Sequence, residues 1–199
     1  MEAERAGARQ PHRFDPAKAA RLDDPARFEW LPPEELFALL DAPRASLVVD
    51  LGTGTGAYAL RLARARPDLT VAALDEQATM LDLLRSKLAS EPLPNLRPVL
   101  ADAAGLKSLA GRASRILAVN VLHELGDAAL RSAASLLEAG GRVLFADWNA
   151  AVVRPVGPPR DHVYSPEEGE SRLSGFGWTV LGRRAFRFHY ALLCEPPRA

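Results

Sequence analysis

The sequence predicts an α/β fold, an open and mostly parallel sheet with helices on both faces. Three observations carry that expectation. From Ser46 onward, short apolar runs alternate with longer amphipathic segments; the first run ends in a glycine-rich turn; the last two runs stand too close for a crossover helix. Five runs separated by helices require right-handed parallel crossovers, and the closing pair requires an antiparallel hairpin at the sheet edge.

The first 32 residues are polar, and Pro11, Pro16, Pro25 and Pro32 interrupt any helix there. Phe14, Phe28 and Trp30 give this arm a means of packing. Pro33 then opens an amphipathic helix, with Glu34 and Glu35 in its first turn and Leu36, Phe37, Leu39 and Leu40 along one face. Strands are expected at 47–51, 69–74, 96–100, 114–119 and 142–146. Helices are expected at 57–65, 78–89 and 128–138. After a loop with Pro155, Pro158 and Pro159, Ser165-Pro-Glu-Glu168 combines an N-cap, a proline at the first helical position and a Glu that closes a capping box. That helix should end near Gly175, and 179–183 with 186–194 form the hairpin.

Composition narrows the function. The 199 residues are 48% hydrophobic, and that length fits one large domain or two small ones, burying roughly 70% of the unfolded surface. With 25 acids against 25 Lys plus Arg, the chain lacks the basic excess of a protein that coats phosphate backbones. The single cysteine, Cys194, permits neither an internal disulfide nor a multi-cysteine metal site. His12, His162 and His189 are scattered, so no metal is expected. The apolar runs are strand-sized, so no membrane span is expected, and Met1 to Pro16 lacks an apolar signal core; the expected setting is the cytoplasm. An excess of Arg over Lys fits a hot habitat or a GC-rich genome equally and carries no functional reading.

Open parallel sheets bind ligands at the carboxyl ends of their strands, where strand order reverses. The turn after the first strand is Asp50-Leu-Gly52-Thr-Gly54-Thr-Gly56, whose glycines allow close backbone approach and expose the next helix N-terminus. The turn by itself is ambiguous. Gly52-x-Gly54-x-x-Ala57 also satisfies the dinucleotide fingerprint, with Asp75 about 20 residues on. Asp50 inside the turn, the third glycine and the terminal hairpin favour a ligand with a cationic group instead.

Val48-Val-Asp-Leu-Gly-Thr-Gly-Thr-Gly56 resembles the first motif of class I S-adenosylmethionine-dependent methyltransferases. The resemblance covers roughly residues 46–195. It takes in Ala-Leu-Asp75, Leu100-Ala-Asp102-Ala, Asn120-Val-Leu-His-Glu-Leu125 and the run Leu137–Asp147, and among subgroups it is nearest to ubiquinone-biosynthesis-like, small-molecule enzymes. It implies a Rossmann-like, doubly wound sheet of seven strands, order 3-2-1-4-5-7-6, with the last strand antiparallel. It also implies S-adenosylmethionine as cofactor, S-adenosylhomocysteine as product and a small-molecule methyl acceptor. Asp75 would accept from both ribose hydroxyls and Asp102 from the adenine amino group, with Ala103 nearby. Gly52, Thr53 and Gly54 would lie along the methionine part, Asp50 and Asn120 at its ammonium, and Tyr58 near the sulfonium.

His123 and Glu124 follow the fourth strand and are the expected catalytic pair, with imidazole as base and Glu124 either orienting it or binding a cationic acceptor. Asp147 and Trp148, together with Asn149, follow the fifth strand and should line the acceptor pocket with Trp30. Residues 1–45 would form an arm and helix serving as a lid over that pocket, and 46–195 the cofactor-binding domain, in a monomer or homodimer. Two other readings stand beside this one: a non-catalytic or regulatory S-adenosylmethionine-binding protein, and an NAD-dependent oxidoreductase. Nucleic-acid acceptors are not expected, since Asn120-Val-Leu-His lacks the Asn-Pro-Pro-aromatic pattern of base-modifying enzymes. Arg183, Arg184 and Arg187 read as an exposed hairpin.

Overall fold

The computed structural model describes residues 14–197. The start of the arm, including Pro11 and His12, lies outside the described residues.

Seven strands form one sheet: β1 (Leu47–Leu51), β2 (Thr70–Asp75), β3 (Leu96–Leu100), β4 (Ala113–Val119), β5 (Leu137–Trp148), β6 (Thr179–Ala185) and β7 (His189–Glu195). Their order is β3-β2-β1-β4-β5-β7-β6, as expected. β1 to β5 are parallel, and β7 runs antiparallel to both β5 and β6. Strand order reverses between β1 and β4.

Successive strand residues point to opposite faces, and here both faces are apolar. Val48, Val71, Ala73 and Leu117 join a core with α2 (Pro33–Leu40) and α3 (Ala57–Ala65). Val49, Ala72, Leu74 and Ile116 join the opposite core with α5 (Ala103–Leu109), α6 (Asp127–Leu136) and α7 (Pro166–Gly175). The remaining long helix, α4 (Ala78–Ser90), sends Leu84 into the first core. The capping box of α7 is present: Ser165 Oγ accepts from the Glu168 N–H at 3.2 Å, and Glu168 accepts from the Ser165 N–H at 2.8 Å.

Two segments differ from expectation. The last interior strand starts five residues earlier than predicted, at Leu137, and α6 stops at Leu136. Leu137 is already extended and pairs with Ala113, and Gly140 at φ +76° absorbs the kink before Arg142 pairs with Arg115. The arm is also more regular than a proline-broken segment suggests. A 3₁₀ helix at Pro16–Asp23 and α1 (Ala26–Trp30) fit between the prolines, each with an aspartate accepting from a backbone N–H at its start.

Arg115 has no place in an apolar strand by pattern alone. Its guanidinium donates to the carbonyls of Leu40 at 2.9 Å and Ser114 at 2.8 Å, tying the end of α2 to β4.

Candidate functional site

A cleft of about 430 Å³ opens at the carboxyl ends of β1, β2 and β4, at the strand-order reversal. That volume is in the range of small-molecule sites, roughly 300–1,000 Å³. The glycine turn forms one wall. The N–H groups of Gly52 and Thr53 both donate to the Leu74 carbonyl, at 2.8 and 3.0 Å, folding the turn over the end of β2. Gly52 sits at φ +68°, and a Cβ there would stand 2.5 Å from a Val121 methyl, so backbone alone fits.

Two carboxylates lie under the turn. Asp50 is 3% exposed and accepts from Thr53 Oγ1 at 2.6 Å. Burial pushes its carboxyl up to about 6, opposed by the Thr53 hydrogen bond and reinforced by Asp75. Asp75 accepts from the N–H of Gly54 at 2.8 Å through one oxygen and of Gln77 at 2.9 Å through the other. Burial raises its carboxyl also, against those two backbone donors.

Asn120 follows β4 in the left-handed region at φ +58°, where Asn is among the tolerated residues. Its Oδ1 is buried with no hydrogen-bond partner, which marks a place for a ligand donor. Tyr58 lines the cleft and donates its hydroxyl to the Leu31 carbonyl at 3.0 Å, joining α3 to the arm. Gly52, Thr53 and Gly54 line it too.

Glu124 and His123 take places opposite to those expected of a base and its orienting group. Glu124 lines the cleft, whereas His123 is 6% exposed and stands behind it, with Nε2 3.7 Å from Glu124 Oε1. Burial pushes the Glu124 carboxyl up to about 7, partly offset by His123 and reinforced by Asp147, Asp75 and Glu76. Burial by itself pulls His123 down, but the Asp147 carboxylate, its hydrogen bond and Glu124 outweigh it, so the imidazole titrates above its usual range.

Asp147 is fully buried and does not line the cleft. Its carboxylate accepts from His123 Nδ1 at 2.8 Å and from the backbone N–H groups of His123 at 2.9 Å and Trp148 at 2.7 Å. These partners turn it inward. Trp148 is likewise off the cleft, its ring 4.0 Å from the His189 ring, and Trp30 packs edge-on against Phe188 at 5.6 Å. Asp102 caps α5, accepting from the Gly105 N–H at 2.7 Å; Asp102 and Ala103 are exposed beside Ala101, which does line the cleft.

The arm brings Phe14, one of its expected packing aromatics, to the cleft, and supplies two wall residues that sequence reasoning missed, Leu22 and Arg27. A polar segment offers no periodic signal for them. Among the described residues no group of three His, Cys, Asp or Glu is placed to hold a metal ion, and no helix is long and apolar enough to cross a membrane.

Residues 48–141 match the family profile of a methyltransferase domain. The chain is 40% identical over 88 residues to trans-aconitate 2-methyltransferase of Deinococcus radiodurans, a match spanning 44% of this chain and 28% of that one. It is 35% identical over 82 residues to the 16S rRNA (adenine(1408)-N(1))-methyltransferase of Streptoalloteichus hindustanus, spanning 39% and 38%. These matches cover less than two fifths of either curated relative. A solved S-adenosylmethionine-dependent methyltransferase from Aquifex aeolicus superposes with TM-score 0.84 at 25% identity, over 92% of this chain and 98% of that one.

Proposed function

We infer that this chain, which belongs to the class I S-adenosylmethionine-dependent methyltransferases, methylates a small-molecule acceptor. One observation supports the cofactor reading above others. The cleft at the strand-order reversal places Asp50, Asp75 and the unpartnered Asn120 Oδ1 around a glycine turn with no room for side chains. Acids and carbonyl acceptors suit a ligand rich in hydroxyl and ammonium donors, and oppose a pyrophosphate.

The cofactor supplies a methyl group on a sulfonium, which passes to the acceptor by in-line displacement and leaves S-adenosylhomocysteine. Asp75 holds the ribose hydroxyls through its remaining lone pairs, and Asp50 with Asn120 takes the ammonium. We assign Asp102, through the oxygen not used as a cap, and Ala103 to the adenine end beside Ala101. Tyr58 walls the reacting centre. Glu124 faces the acceptor and takes the proton it loses, while His123, fastened by Asp147, holds Glu124 in place. Trp30 and Trp148 back this wall. The neutral chain and acid-rich cleft favour a small molecule over a polyanion, and we extend the reading to a cytoplasmic monomer or homodimer.

Calorimetric titration with S-adenosylhomocysteine and, separately, with NADH tests the reading: binding of the first alone is expected, and binding of only the second overturns it. Asp75→Ala is expected to weaken S-adenosylhomocysteine at least tenfold, about 1.4 kcal/mol; unchanged affinity removes the ribose role.

The same titration repeated against pH checks Asp50. Its carboxyl titrates at about 6 without ligand. An ammonium beside it favours the ionised form, so affinity should hold above pH 7 and fall as pH drops through about 6. In Asp50→Asn that fall should vanish and affinity stay low throughout.

A further inference from the structure

We propose that Arg27 selects the amino-acid end of the cofactor, its guanidinium receiving the carboxylate of the homocysteine part. The proposal rests on the S-adenosylmethionine reading of the cleft. Among the described residues that line the cleft, Arg27 is the sole Lys or Arg, against four acids: Asp50, Asp75, Glu76 and Glu124. The ligand inferred above carries cationic groups that those acids can serve and one carboxylate that they would repel. A single cation on the wall completes the match.

Arg27 stands at the appropriate end. Asp75, Gln77 and Ala101 define the nucleoside side of the cleft; Asp50, Gly52, Tyr58 and Asn120 define the other. The Arg27 guanidinium carbon is 6.0 Å from the centroid of the Tyr58 ring, on that second side. Among the described residues, the guanidinium makes one hydrogen bond, from Nη1 to the Leu22 carbonyl, and no ion pair within 4 Å joins it to a carboxylate. Burial pulls its pKa below the ordinary arginine value, and Tyr58, Asp23 and Asp24 push it back. A cation in that condition gains most from a charged, desolvated partner, and arginine meets a carboxylate with two parallel donors.

The arm holds this group in register with the glycine turn. Asp23 Oδ1 accepts from Thr55 Oγ1 at 2.8 Å and from Lys87 Nζ at 2.7 Å, and Lys87 also donates to the Thr55 carbonyl at 2.9 Å. Leu22 lies over Gly54, where an added Cβ would stand 2.9 Å from its methyl. Gln77 Nε2 donates to the Phe14 carbonyl at 3.1 Å across the nucleoside end. The described part of the arm is thus a strap over the cofactor, and Arg27 is placed before the ligand arrives, which lowers the ordering cost of binding.

The test compares two ligands on the whole chain by calorimetry: S-adenosylhomocysteine, and S-adenosyl-3-thiopropylamine, which is the same molecule without the carboxylate. The unaltered chain should prefer the first by at least tenfold. Arg27→Ala should lose at least tenfold on S-adenosylhomocysteine while the amine binds as before or tighter, so the preference collapses. Equal loss on both ligands, or loss on neither, overturns the proposal. Should Arg27→Ala fail to fold, Arg27→Gln keeps the stem and reads the same ratio, and absence of any preference in the unaltered chain also overturns it. Failure of the unaltered chain to bind either ligand sinks the cofactor reading itself.

Discussion

Glu124→Gln is expected to lower turnover about 100-fold or more, the low end of general acid–base contributions, with S-adenosylhomocysteine affinity within twofold of the original. The amide keeps the shape of the wall and removes the group that accepts a proton. Turnover of the unaltered chain should rise with pH through about 7, where burial has placed the Glu124 carboxyl, and level off above it. Below that value the carboxyl is protonated and accepts nothing. In the proposed mechanism His123 acts one step back. Losing a cation 3.7 Å from Glu124 should push the Glu124 carboxyl further up, so His123→Ala should shift the pH profile to higher pH while cofactor affinity holds. A profile that stays in place with His123→Ala would leave His123 a packing residue. Full turnover by Glu124→Gln would remove Glu124 as the base.

The parts of this site that were legible in sequence are those set by the sheet. Asp50 and Asp75 lie at the carboxyl ends of β1 and β2, and Gly52 and Asn120 directly follow β1 and β4; a parallel sheet delivers such residues to one edge. The apolar runs Val48-Val49 and Ala72-Ala73 likewise mark strands with two covered faces, while the strand order came from the motif resemblance. What escaped depends on partners far apart in the chain. The expected strand ended at 146, but β5 runs on to Trp148, so Asp147 is still paired, with Tyr190, near the same end of its strand that Asp75 holds in β2. Whether it faces the cleft or the interior is decided by His123, 24 positions away, and by two backbone donors that turn it inward. Arg27 lies in a polar segment whose pattern has no apolar face. Its place on the wall follows from the Asp23–Thr55 and Asp23–Lys87 contacts, which no local pattern encodes. Asp102 stands just after β3, and the same turn also suits it as the N-cap of α5.

Asp147→Ala is expected to be the most destabilising single change near the site, costing on the order of 3–5 kcal/mol, the effect of breaking a buried ion pair from one side. Its carboxylate is fully buried and serves an imidazole and two backbone N–H groups, all of which lose their acceptor together. For a chain of this size the melting temperature should fall on the order of 10 °C. The effect should also depend on pH, with a definite sign. The folded His123 pKa is raised above the ordinary 6.5, so the folded state binds the proton more tightly than the unfolded chain. The pair's stabilisation is therefore complete below pH 6.5 and is lost as pH rises through the folded value. Glu124 titrates in the same window, so the comparison belongs in the Glu124→Gln background; Asp50 is present in both chains and cancels from the gap, which leaves His123 with Asp147. In that background the melting-temperature gap made by Asp147→Ala should be widest near pH 6 and narrow toward alkaline pH. It should not close, because the two backbone donors still lose their acceptor at every pH. A gap that is constant or widens with pH would show that the imidazole is neutral in the fold, and that Asp147 works through the backbone donors alone.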